Sequence, residues 1–354
     1  MRFRVDIIIT WDLGIAVAGY RQLSMGSTKA PIFVVGCPRS GTTLLYHMLL
    51  SSGAFANYRA ETHVFNMLVP RFGNLARLPA RTRLIDAWLK TDYFRATGLK
   101  ANELRECLIR DCRSGGDFLR IVMEAIAERQ GVDRWSECTP EHILYLSKIK
   151  RDIPGAKVIH IIRDGRDVAV SLEKQGWIRP LAWDKTNSLL VAGLYWQYVV
   201  QEGRRLGRSI APDYLEVQFE RLLADPREEL SSVSEFIEQS LDYDQIVRMG
   251  VGSVSRPNSS FPLPDGNFSF KPVGRWKERP KSDIAKLEKL IGTLLNALGY
   301  DTQTHSDDDS FQLWRMSMMY PALFRTKYWL KTKTPLGRFS DVSVLYERVL
   351  EERD

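Results

Sequence analysis

The sequence predicts an α/β fold of three layers, in which helices cover both faces of a central parallel sheet. Two short apolar runs carry this prediction: residues 31–36 and 157–162 are rich in Val and Ile, as buried parallel strands are. A polar turn follows each run and leads into a helical pattern, at residues 42–50 and 168–174. Strands that alternate with helices in this way form parallel sheets, because each connecting helix packs back onto the sheet.

Composition narrows the class of protein. Of the 354 residues, 44% are hydrophobic and 26% are charged, which excludes a disordered chain, a collagen-like repeat and a small disulfide scaffold. The 50 Lys and Arg against 43 Asp and Glu leave a net charge of +7. We therefore expect an anionic partner, whether a nucleotide, nucleic acid, a membrane surface or an acidic peptide. The length fits two domains or one large α/β domain with additions.

The cysteines and histidines offer no metal site. Neither residue type recurs at the spacing of zinc ligands, so no metal is expected. We expect reduced thiols, as in a cytoplasmic protein. The four cysteines are Cys37, Cys107, Cys112 and Cys138.

Residues 1–30 are expected to form an N-terminal arm. Two arginines precede an apolar stretch at residues 7–18, a pattern that resembles a secretory signal peptide. Asp6 and Asp12 lie beside or within this stretch, which is shorter than the roughly 20 residues that cross a bilayer. We therefore expect a strand or packing arm, with secretion as the alternative.

The later elements follow from the same patterns. Residues 82–130 are expected to be helical, residues 187–206 to form a long helix, and residues 214–219 a third strand. An Asp-Pro pair opens residues 225–237 with the pattern of an N-cap followed by proline in the first turn, which predicts a further helix. Residues 251–274, rich in Ser, Pro, Gly and Asn, are expected to form a long loop of the kind that often carries function.

These elements imply one principal domain. No internal repeat or low-complexity linker interrupts the chain. We expect the α/β domain to span residues 31–304, with a helical insertion at about residues 62–130. A helical extension is expected at residues 305–354.

The turn after the first strand has the spacing of a phosphate-binding loop. Gly36 and Gly41 stand five residues apart between a strand and a helix. Backbone N–H groups and the start of the helix can hold a phosphate, and hydroxyl groups of the loop add donors. Thr42 occupies the usual lysine position and no magnesium-binding Asp is evident at a strand end, so an ATP-dependent kinase is the weaker alternative. The loop residues are Pro38, Arg39, Ser40, Gly41, Thr42 and Thr43.

A second anion site is expected where the second strand ends. Arg163 stands there, and Ser171 lies two turns into the following helix. An arginine fork with a hydroxyl group suits a separate phosphate, and folds of this class bind ligands at the carboxyl ends of their strands. The alternative is a surface cluster of ion pairs among Arg163, Asp164, Arg166 and Asp167.

Together these motifs resemble those of sulfotransferases. Residues 38–43 resemble the 5′-phosphosulfate loop of that family, and the arginine–serine pair resembles its 3′-phosphate motif. Residues 274–277 (Gly-Arg-Trp-Lys) resemble the late segment that closes over the nucleotide, and residues 216–226 resemble a strand-to-helix segment of the family. The four segments stand in register across about residues 30–300.

The resemblance implies a P-loop-like fold and the donor 3′-phosphoadenosine 5′-phosphosulfate (PAPS), with 3′-phosphoadenosine 5′-phosphate (PAP) as product. The sulfuryl group would pass to a hydroxyl group or amine without a metal ion. Such a donor explains both the two phosphate sites and the missing lysine. The implied nucleotide-binding residues are the six loop residues with Arg163, Ser171, Phe219, Ser260, Arg275, Trp276 and Lys277.

Glu61 is the catalytic base that the resemblance implies. Residues 59–63 (Arg-Ala-Glu-Thr-His) resemble the Glu-Glu-Thr segment of protein-tyrosine sulfotransferases, in which the glutamate before the threonine is the base. A base must lie within hydrogen-bond reach of the proton that it removes. His63 is the competing candidate because its ordinary pKa lies nearer neutrality, and a surface glutamate is the plainer alternative. Arg39 is the cation expected nearest the transferred group.

The sequence departs from the family pattern at several positions. Cys138 stands where the family usually has a lysine, so either Arg39 or Arg275 substitutes or catalysis is weaker. Phe219 stands where tyrosine is common. The basic residues that bind acidic peptides are not reproduced after Glu61, which puts peptide tyrosine in doubt as the acceptor. A catalytically weak or inactive protein that binds PAPS or PAP is therefore the alternative function.

The C-terminal extension is basic and aromatic. Residues 315–338 carry six Lys or Arg and no acid, interleaved with large apolar side chains. Such a segment can bind a membrane surface or cover an acceptor site, whereas packing as a helix pair on the core is the favoured alternative. We expect a cytoplasmic protein, with peripheral membrane contact through residues 310–338 as a second option.

The acceptor stays open among small molecules, lipids, carbohydrates and peptides. Residues 62–130 and 175–200 are expected to contribute to its site, the first range as an insertion on the acceptor side. Nucleic acid is no longer expected, because the resemblance assigns the arginines of the motifs to a nucleotide.

Overall fold

A four-stranded parallel sheet organises the protein, whose computed structural model describes residues 29–178, 187–249, 272–302 and 311–343. The strands are β1 (Ile32–Gly36), β2 (Ser136–Glu137), β3 (Lys157–Ile162) and β4 (Tyr214–Gln218), in the spatial order β2-β1-β3-β4. In the central pair, Gly36 lies opposite Ile161. The predicted parallel sheet is confirmed, with β2 as an additional edge strand that the sequence did not predict.

Helices fill every connection between these strands. The described residues contain α1 (Thr42–Ser51), α2 (Val69–Phe72), α3 (Leu78–Trp88), α4 (Asp92–Arg95), α5 (Ala101–Asp111), α6 (Gly115–Gln130), α7 (Leu146–Asp152), α8 (Gly165–Gln175), α9 (Ser188–Arg208), α10 (Phe219–Ala224), α11 (Pro226–Ile237), α12 (Tyr243–Arg248), α13 (Lys281–Ala297) and α14 (Phe311–Lys333). A π-helical turn spans Val64–Leu68, and 3₁₀ turns span Pro140–Tyr145, Arg275–Glu278 and Pro335–Phe339.

Local sequence signals set several helix ends. Asp225 caps α11 by accepting the N–H of Glu228 at 3.1 Å, as the Asp-Pro pattern predicted. Ser114 and Asp117 form a capping box at the start of α6. β4 ends one residue earlier than expected because Phe219 already begins α10.

The strands bury side chains on both faces, which makes the fold three-layered as predicted. Phe33 and Val35 of β1 belong to the larger core cluster, which includes side chains of α6, α9 and α13. Ile32 and Val34 point to the opposite face and pack in a cluster with α1 and α11. This alternation follows from the two-residue period of a strand.

The additions to the sheet are helical. Helices α2–α6 lie between α1 and β2, where the insertion was expected. Within residues 311–343, the C-terminal extension forms one long helix with Pro321 inside it and a short 3₁₀ turn after it, and the helix packs on α9. The expectations for the N-terminal arm, for most of the 251–274 loop and for Ser260 lie outside the described residues. The domain boundaries stay predictions.

Candidate functional site

The two glycines of the phosphate-loop motif are required by close contacts. A Cβ on Gly36 would lie 2.5 Å from the carbonyl oxygen of Ile161, so a side chain there would push β1 away from β3. Gly41 has a φ of +96°, and a Cβ there would lie 2.2 Å from the ring of Phe219. The loop can therefore pass between β1 and α1 only with glycine at both positions.

Arg39 joins the loop to helix α8. Its φ of 74° places a non-glycine residue in the left-handed region, which is a sparsely populated conformation that concentrates at functional sites. Its Nε donates to Oγ of Ser171 at 3.0 Å, and its guanidinium lies 5.7 Å from the ring centre of Trp177. The loop and the arginine–serine motif are thus parts of one site.

Arg163 is buried and closes the same site from the end of β3. Its Nη1 donates to the carbonyl oxygen of Arg39 at 3.0 Å, and its guanidinium lies 4.7 Å from the ring centre of Phe219. Its other terminal nitrogen lies 3.9 Å from Asp167. Phe219 therefore supports both Gly41 and Arg163, which places it under the site as a packing residue.

The interpretation of residues 163–167 as a surface ion-pair cluster is wrong. Arg166 is 3% exposed and pairs with Asp164 at 2.8 Å and with Glu288 of α13 at 2.5 Å. Its guanidinium also lies 3.9 Å from the ring centre of Trp276. The cluster is buried, and its two arginines have different contacts. Arg166 connects α8 to α13, while Arg163 contacts the phosphate loop.

Asp167 holds the segment at residues 274–277 against α8. One carboxylate oxygen accepts the N–H of Gly274 at 2.8 Å and the other accepts the N–H of Trp276 at 3.0 Å. This places Arg275, which lies between the two, beside the loop arginines. Sequence reasoning assigned Asp167 only to an ion pair. The signal that could have found this role is its position in the first turn of a helix that follows a strand.

Three arginines share this partly buried region. Burial lowers the pKa of Arg39, and the charge of Arg275 lowers it further. Burial also lowers the pKa of Arg163, with Asp167 opposing the shift and Arg275 and Arg39 adding to it. Cations that lower one another's pKa are held together against their repulsion, and an anion bound among them relieves that repulsion.

Two buried donors in this region have no hydrogen-bond partner among the described residues. They are Oγ of Ser40 and Nε of Arg163. Buried polar groups in folded proteins nearly always have partners, so these donors fit the oxygen atoms of a bound phosphate or sulfate. Thr42 is buried at the start of α1, Thr43 is exposed beside it, and Lys277 is exposed next to Trp276.

Glu61 forms a second centre, before the π-helical turn. Its side chain is 43% exposed, and its Oε2 lies 3.5 Å from Nε2 of His63. Desolvation, and then the charges of Glu137 and Glu141, raise the pKa of Glu61 to about 8. The pKa of this carboxyl group therefore lies nearer neutrality than that of an ordinary glutamate, a range that suits a general base.

His63 is a neutral neighbour of this carboxyl group. Burial, and then His142, lower the pKa of His63 to about 4. Asn66 donates through Nδ2 to Glu141 at 2.8 Å, and the same nitrogen lies 3.3 Å from Nδ1 of His63. A carboxylate only accepts hydrogen bonds, so the amide of Asn66 must turn its NH₂ group toward Glu141. The same NH₂ group faces Nδ1 of His63, and Nδ1 is therefore an acceptor. The ring proton then lies on Nε2, toward Glu61.

A buried hydroxyl group holds the backbone beside Glu61. Oγ1 of Thr139 accepts the N–H of Thr62 at 3.0 Å and the N–H of His63 at 3.3 Å. The same hydroxyl donates to Glu137 at 2.5 Å, and the hydroxyl of Thr62 donates to Glu137 at 2.7 Å. The segment after β2 therefore positions the segment that carries the candidate base.

Glu137 stays a carboxylate although it is buried. Burial raises its pKa, but the opposing effects of His142, Thr139 and Thr62 are larger, and the result is a pKa of about 2. Nδ1 of His142 lies 3.0 Å from this carboxylate, and the N–H of Phe65 donates to the other ring nitrogen at 3.3 Å. Sequence reasoning missed this network. Its only signal was a Glu and a Thr on either side of Cys138.

Cys138 links the two centres as a neutral thiol. Burial raises the pKa of this thiol, and the charges of Glu61 and Glu137 raise it further, whereas a hydrogen bond with Thr42 lowers it. Thr42 is the first residue of α1, so Cys138 lies between the phosphate loop and Glu61. The position therefore supplies no positive charge.

Helix α14 reaches the wall of the Glu61 centre. Tyr195 of α9 donates to Glu141 at 3.2 Å, and Phe324 of α14 packs edge-on against Tyr195 with ring centres 5.3 Å apart. Since Glu141 also contacts Asn66, the C-terminal extension lies one layer behind the side chains around Glu61.

Comparison with known proteins gives the family. The model of the sulfotransferase family matches residues 31–243. The chain belongs to the sulfotransferase family. The sequence resemblance is thereby confirmed. The matched region of this sulfotransferase includes the sheet, both candidate anion sites and Glu61.

Relatives and a solved structure agree with that family. A putative protein-tyrosine sulfotransferase of Caenorhabditis briggsae is 24% identical over 294 residues, which are 79% of this chain and 95% of that protein. The protein-tyrosine sulfotransferase of Drosophila melanogaster is 24% identical over 290 residues, covering 78% of this chain and 53% of that protein. The sulfotransferase domain of the Synechococcus PCC 7002 olefin synthase has a TM-score of 0.51 at 20% identity, covering 78% of this chain and 97% of that one. This likeness supports the α/β fold.

Three further features concern metal-ligand clusters, long apolar helices and thiols. Across the described ranges, no set of three His, Cys, Asp or Glu side chains is grouped as a metal site would be. None of the helices in those ranges has both the length and the apolar character needed to cross a membrane. All four cysteines carry free thiols.

Proposed function

We propose that this sulfotransferase moves the sulfuryl group of PAPS to a hydroxyl group or amine of its acceptor, by in-line transfer with Glu61 as general base. One observation carries the proposal: Arg39, Arg163 and Arg275 share one partly buried region beside a loop whose Ser40 hydroxyl has no partner among the described residues. No γ-phosphate is needed to account for this charge, since PAPS carries anionic groups at two separate positions.

Each of the two candidate anion sites would bind a different anionic group of the donor. The loop at residues 38–43, the start of α1 and Arg39 would hold the 5′-phosphosulfate. Arg163 and Ser171 would hold the 3′-phosphate, and Trp276 would cover the nucleotide beside them. PAPS supplies the activated sulfuryl group. The protein aligns that group through Arg39, whose hydrogen bond to Ser171 couples the two sites.

Glu61 would act on the acceptor. An acceptor oxygen forms its bond to sulfur while the bond from sulfur to the 5′-phosphate oxygen breaks, and the acceptor proton passes to the Glu61 carboxylate. Negative charge gathers on the departing phosphate, where the loop N–H groups and Arg39 stabilise it. His63 supports this role as an orienting partner, because its proton on Nε2 faces Glu61 and leaves that nitrogen no lone pair to act as a base.

For the acceptor we propose a range of chemical classes rather than one compound. The names of the relatives favour a peptide tyrosine, whereas the missing basic residues after Glu61 favour a small molecule, lipid or carbohydrate. We propose the cytoplasm as compartment, which free thiols support, and peripheral membrane contact through residues 310–338.

A weak or inactive nucleotide-binding protein is the second candidate. The observation that favours it is Cys138, a buried neutral thiol where the family usually has a lysine. Such a protein would bind PAP tightly and transfer no sulfate to any acceptor in a broad panel.

One experiment separates these readings. The protein is incubated with PAPS and a cell extract, and mass spectrometry identifies metabolites or peptides that gain a sulfuryl group. Glu61→Gln should abolish the gain while leaving PAP binding intact, and Arg39→Ala should weaken both. Absence of PAP binding by the wild-type protein would refute the PAPS proposal. Binding without any sulfated product would favour the second candidate.

A further inference from the structure

A basic cavity lies under the C-terminal half of α14, between that helix, α7 and the C-terminal half of α9. Its volume is about 470 Å³, which is the size of a small-ligand pocket. Five cations line it, against one acidic residue, Glu202. The cations are Lys148, Arg151, Arg205, Arg325 and Lys333.

The cavity is separate from the nucleotide site. Helix α7 precedes β3 and α9 precedes β4, so the cavity lies toward the amino edge of the sheet, whereas the phosphate loop leaves the carboxyl edge of β1. None of the contacts described for Arg39, Arg163 or Glu61 includes a cavity residue. The excess positive charge here therefore serves neither anion site of the proposed reaction.

Ion pairing leaves this charge incompletely balanced. Glu202 lies 2.8 Å from Arg205 and 3.7 Å from Arg325, so one carboxylate serves two cations. Arg151 pairs with Asp152 at 2.9 Å, so two acids face five cations. Lys148 lies 5.6 Å from the ring centre of Tyr145. Burial lowers the pKa of Lys148, and the charges of Lys333 and Arg151 lower it further against an opposing effect of Asp152. An anionic group in the cavity would relieve this repulsion.

The outer face of α14 adds large apolar side chains to the cavity rim. Trp329 is 55% exposed and lies one turn from Arg325 and one turn from Lys333, on the same side of the helix. The same stripe continues toward the start of the helix through Met318, Trp314 and Phe311, all more than half exposed. Helix α14 contains no acidic residue. Exposed aromatic and apolar side chains next to Lys and Arg are the pattern of a helix that lies in a membrane interface.

We propose that the outer face of α14 binds the surface of an anionic phospholipid membrane, and that the basic cavity takes the phosphate of a lipid headgroup. Charge complementarity selects this occupant over a second copy of the chain, because a two-fold contact through α14 would oppose two basic faces. The exposed stripe selects it over nucleic acid or a soluble polyanion, since those ligands offer nothing to cover Trp314, Met318 and Trp329.

The test is cosedimentation of the full chain with vesicles of phosphatidylcholine, with and without phosphatidic acid. Deletion of residues 310–354 is unsuitable, because it would uncover Tyr195 and Tyr198, which pack on Phe324. Point variants at exposed positions avoid this problem. The melting temperature serves as the measure of intact folding in every variant, so that this test does not depend on the proposed reaction, and PAP binding is measured beside it.

Wild-type protein should pellet with vesicles that contain phosphatidic acid. With vesicles of pure phosphatidylcholine it should stay in the supernatant. The double variant Arg325→Gln/Lys333→Gln should lose affinity about 30-fold, because each of the two basic residues near an anionic surface contributes about fivefold. Trp314→Ser/Trp329→Ser should also weaken binding. Lys286→Gln, which removes an exposed charge from α13, is the matched control and should have little effect.

Glu202→Gln tests the proposal with a variant that should bind vesicles more strongly than wild type. Removing the acidic residue of the cavity should strengthen vesicle binding, whereas a purely structural role for Glu202 predicts weaker binding or lost PAP affinity. Equal sedimentation of wild type and both double variants would overturn the proposal. If the wild-type protein bound no vesicles but bound duplex DNA or formed a dimer, and the same variants abolished that binding or that dimer, the proposal would also be overturned. Occupation of the cavity by free inorganic phosphate with no vesicle binding would also overturn the membrane assignment.

Discussion

Thr139 offers a sharp test of how the Glu61 centre is built. Its hydroxyl accepts two backbone N–H groups, from Thr62 and His63, and donates to Glu137. Thr139→Val removes that hydroxyl and keeps the branched shape of the side chain. The variant therefore changes hydrogen bonding without leaving a large cavity. Thr139→Ser is the matched control, because it keeps the hydroxyl and loses only a methyl group.

The magnitude follows from the contacts. Two buried N–H groups lose their acceptor, and each such loss costs about 1–3 kcal/mol. Glu137 loses one donor but keeps those of Thr62 and His142. We expect Thr139→Val to lower the free energy of unfolding by about 3 kcal/mol. Once the backbone of residues 61–63 is released, a shift of about 1 Å in the base would lower kcat about 100-fold.

The assay separates this effect from general damage. Steady-state kinetics with PAPS should show a fall in kcat with little change in KM for PAPS, because Thr139 contacts neither Arg39 nor Arg163. Denaturant unfolding measures the stability of the same protein samples. Thr139→Ser should keep kcat within about tenfold of wild type, since its hydroxyl can still accept both N–H groups.

Two results would refute this reasoning. If Thr139→Val lost stability as expected but kept wild-type kcat, the hydroxyl would hold the fold without positioning Glu61. If valine and serine variants lost kcat equally, packing of the methyl group rather than the hydroxyl network would be responsible.

The remaining predictions concern charge in the two centres. For wild type, kcat/KM should rise with pH and level off above about 8, because the base must be ionised and its pKa lies near 8; a flat profile that Glu61→Gln leaves unchanged would contradict the assignment. Ser171→Ala should weaken PAP binding about tenfold in titration calorimetry, since it removes a hydroxyl donor and the hydrogen bond that orients Arg39. Thr43→Ala, at an exposed position, should weaken it less. Cys138→Lys should move the rise in kcat/KM to lower pH, because a cation beside Glu61 lowers the pKa of that carboxyl group, whereas Cys138→Ser should leave the profile in place.

Much of the candidate anion site could be predicted from sequence because its signals are local. The phosphate-loop spacing places Arg39 and Ser40 between a strand and a helix, and the later arginine–serine pair follows the next strand of the sheet. The carboxyl ends of parallel strands meet at one edge, so the two motifs had to be neighbours once the sheet was predicted. The hydrogen bond from Arg39 to Ser171 is the outcome.

The support of Glu61 could not be predicted in the same way. Thr139 and His142 are about 80 residues away along the chain, and only the two-residue pairing of β2 with β1 brings their segment to the loop. The burial of residues 163–167 could not be predicted from sequence either. Arg166 is buried because Glu288 of α13 packs on it, and nothing near residue 166 in the sequence signals that contact.

Sequence alone therefore determined the family and the alternation of strands and helices. It also predicted the two phosphate motifs and the candidate base, since each depends on residues that are close along the chain. The tertiary structure decided how those parts are held and charged. It placed three arginines in one region, buried Glu137 with three hydrogen-bond donors, and raised the pKa of Glu61 to about 8 through burial and neighbouring carboxylates. It also separated the two faces of α14, one packed on α9 and one exposed beside a basic cavity. Burial and electrostatic interactions depend on distances between segments far apart in sequence, and only the folded chain sets those distances.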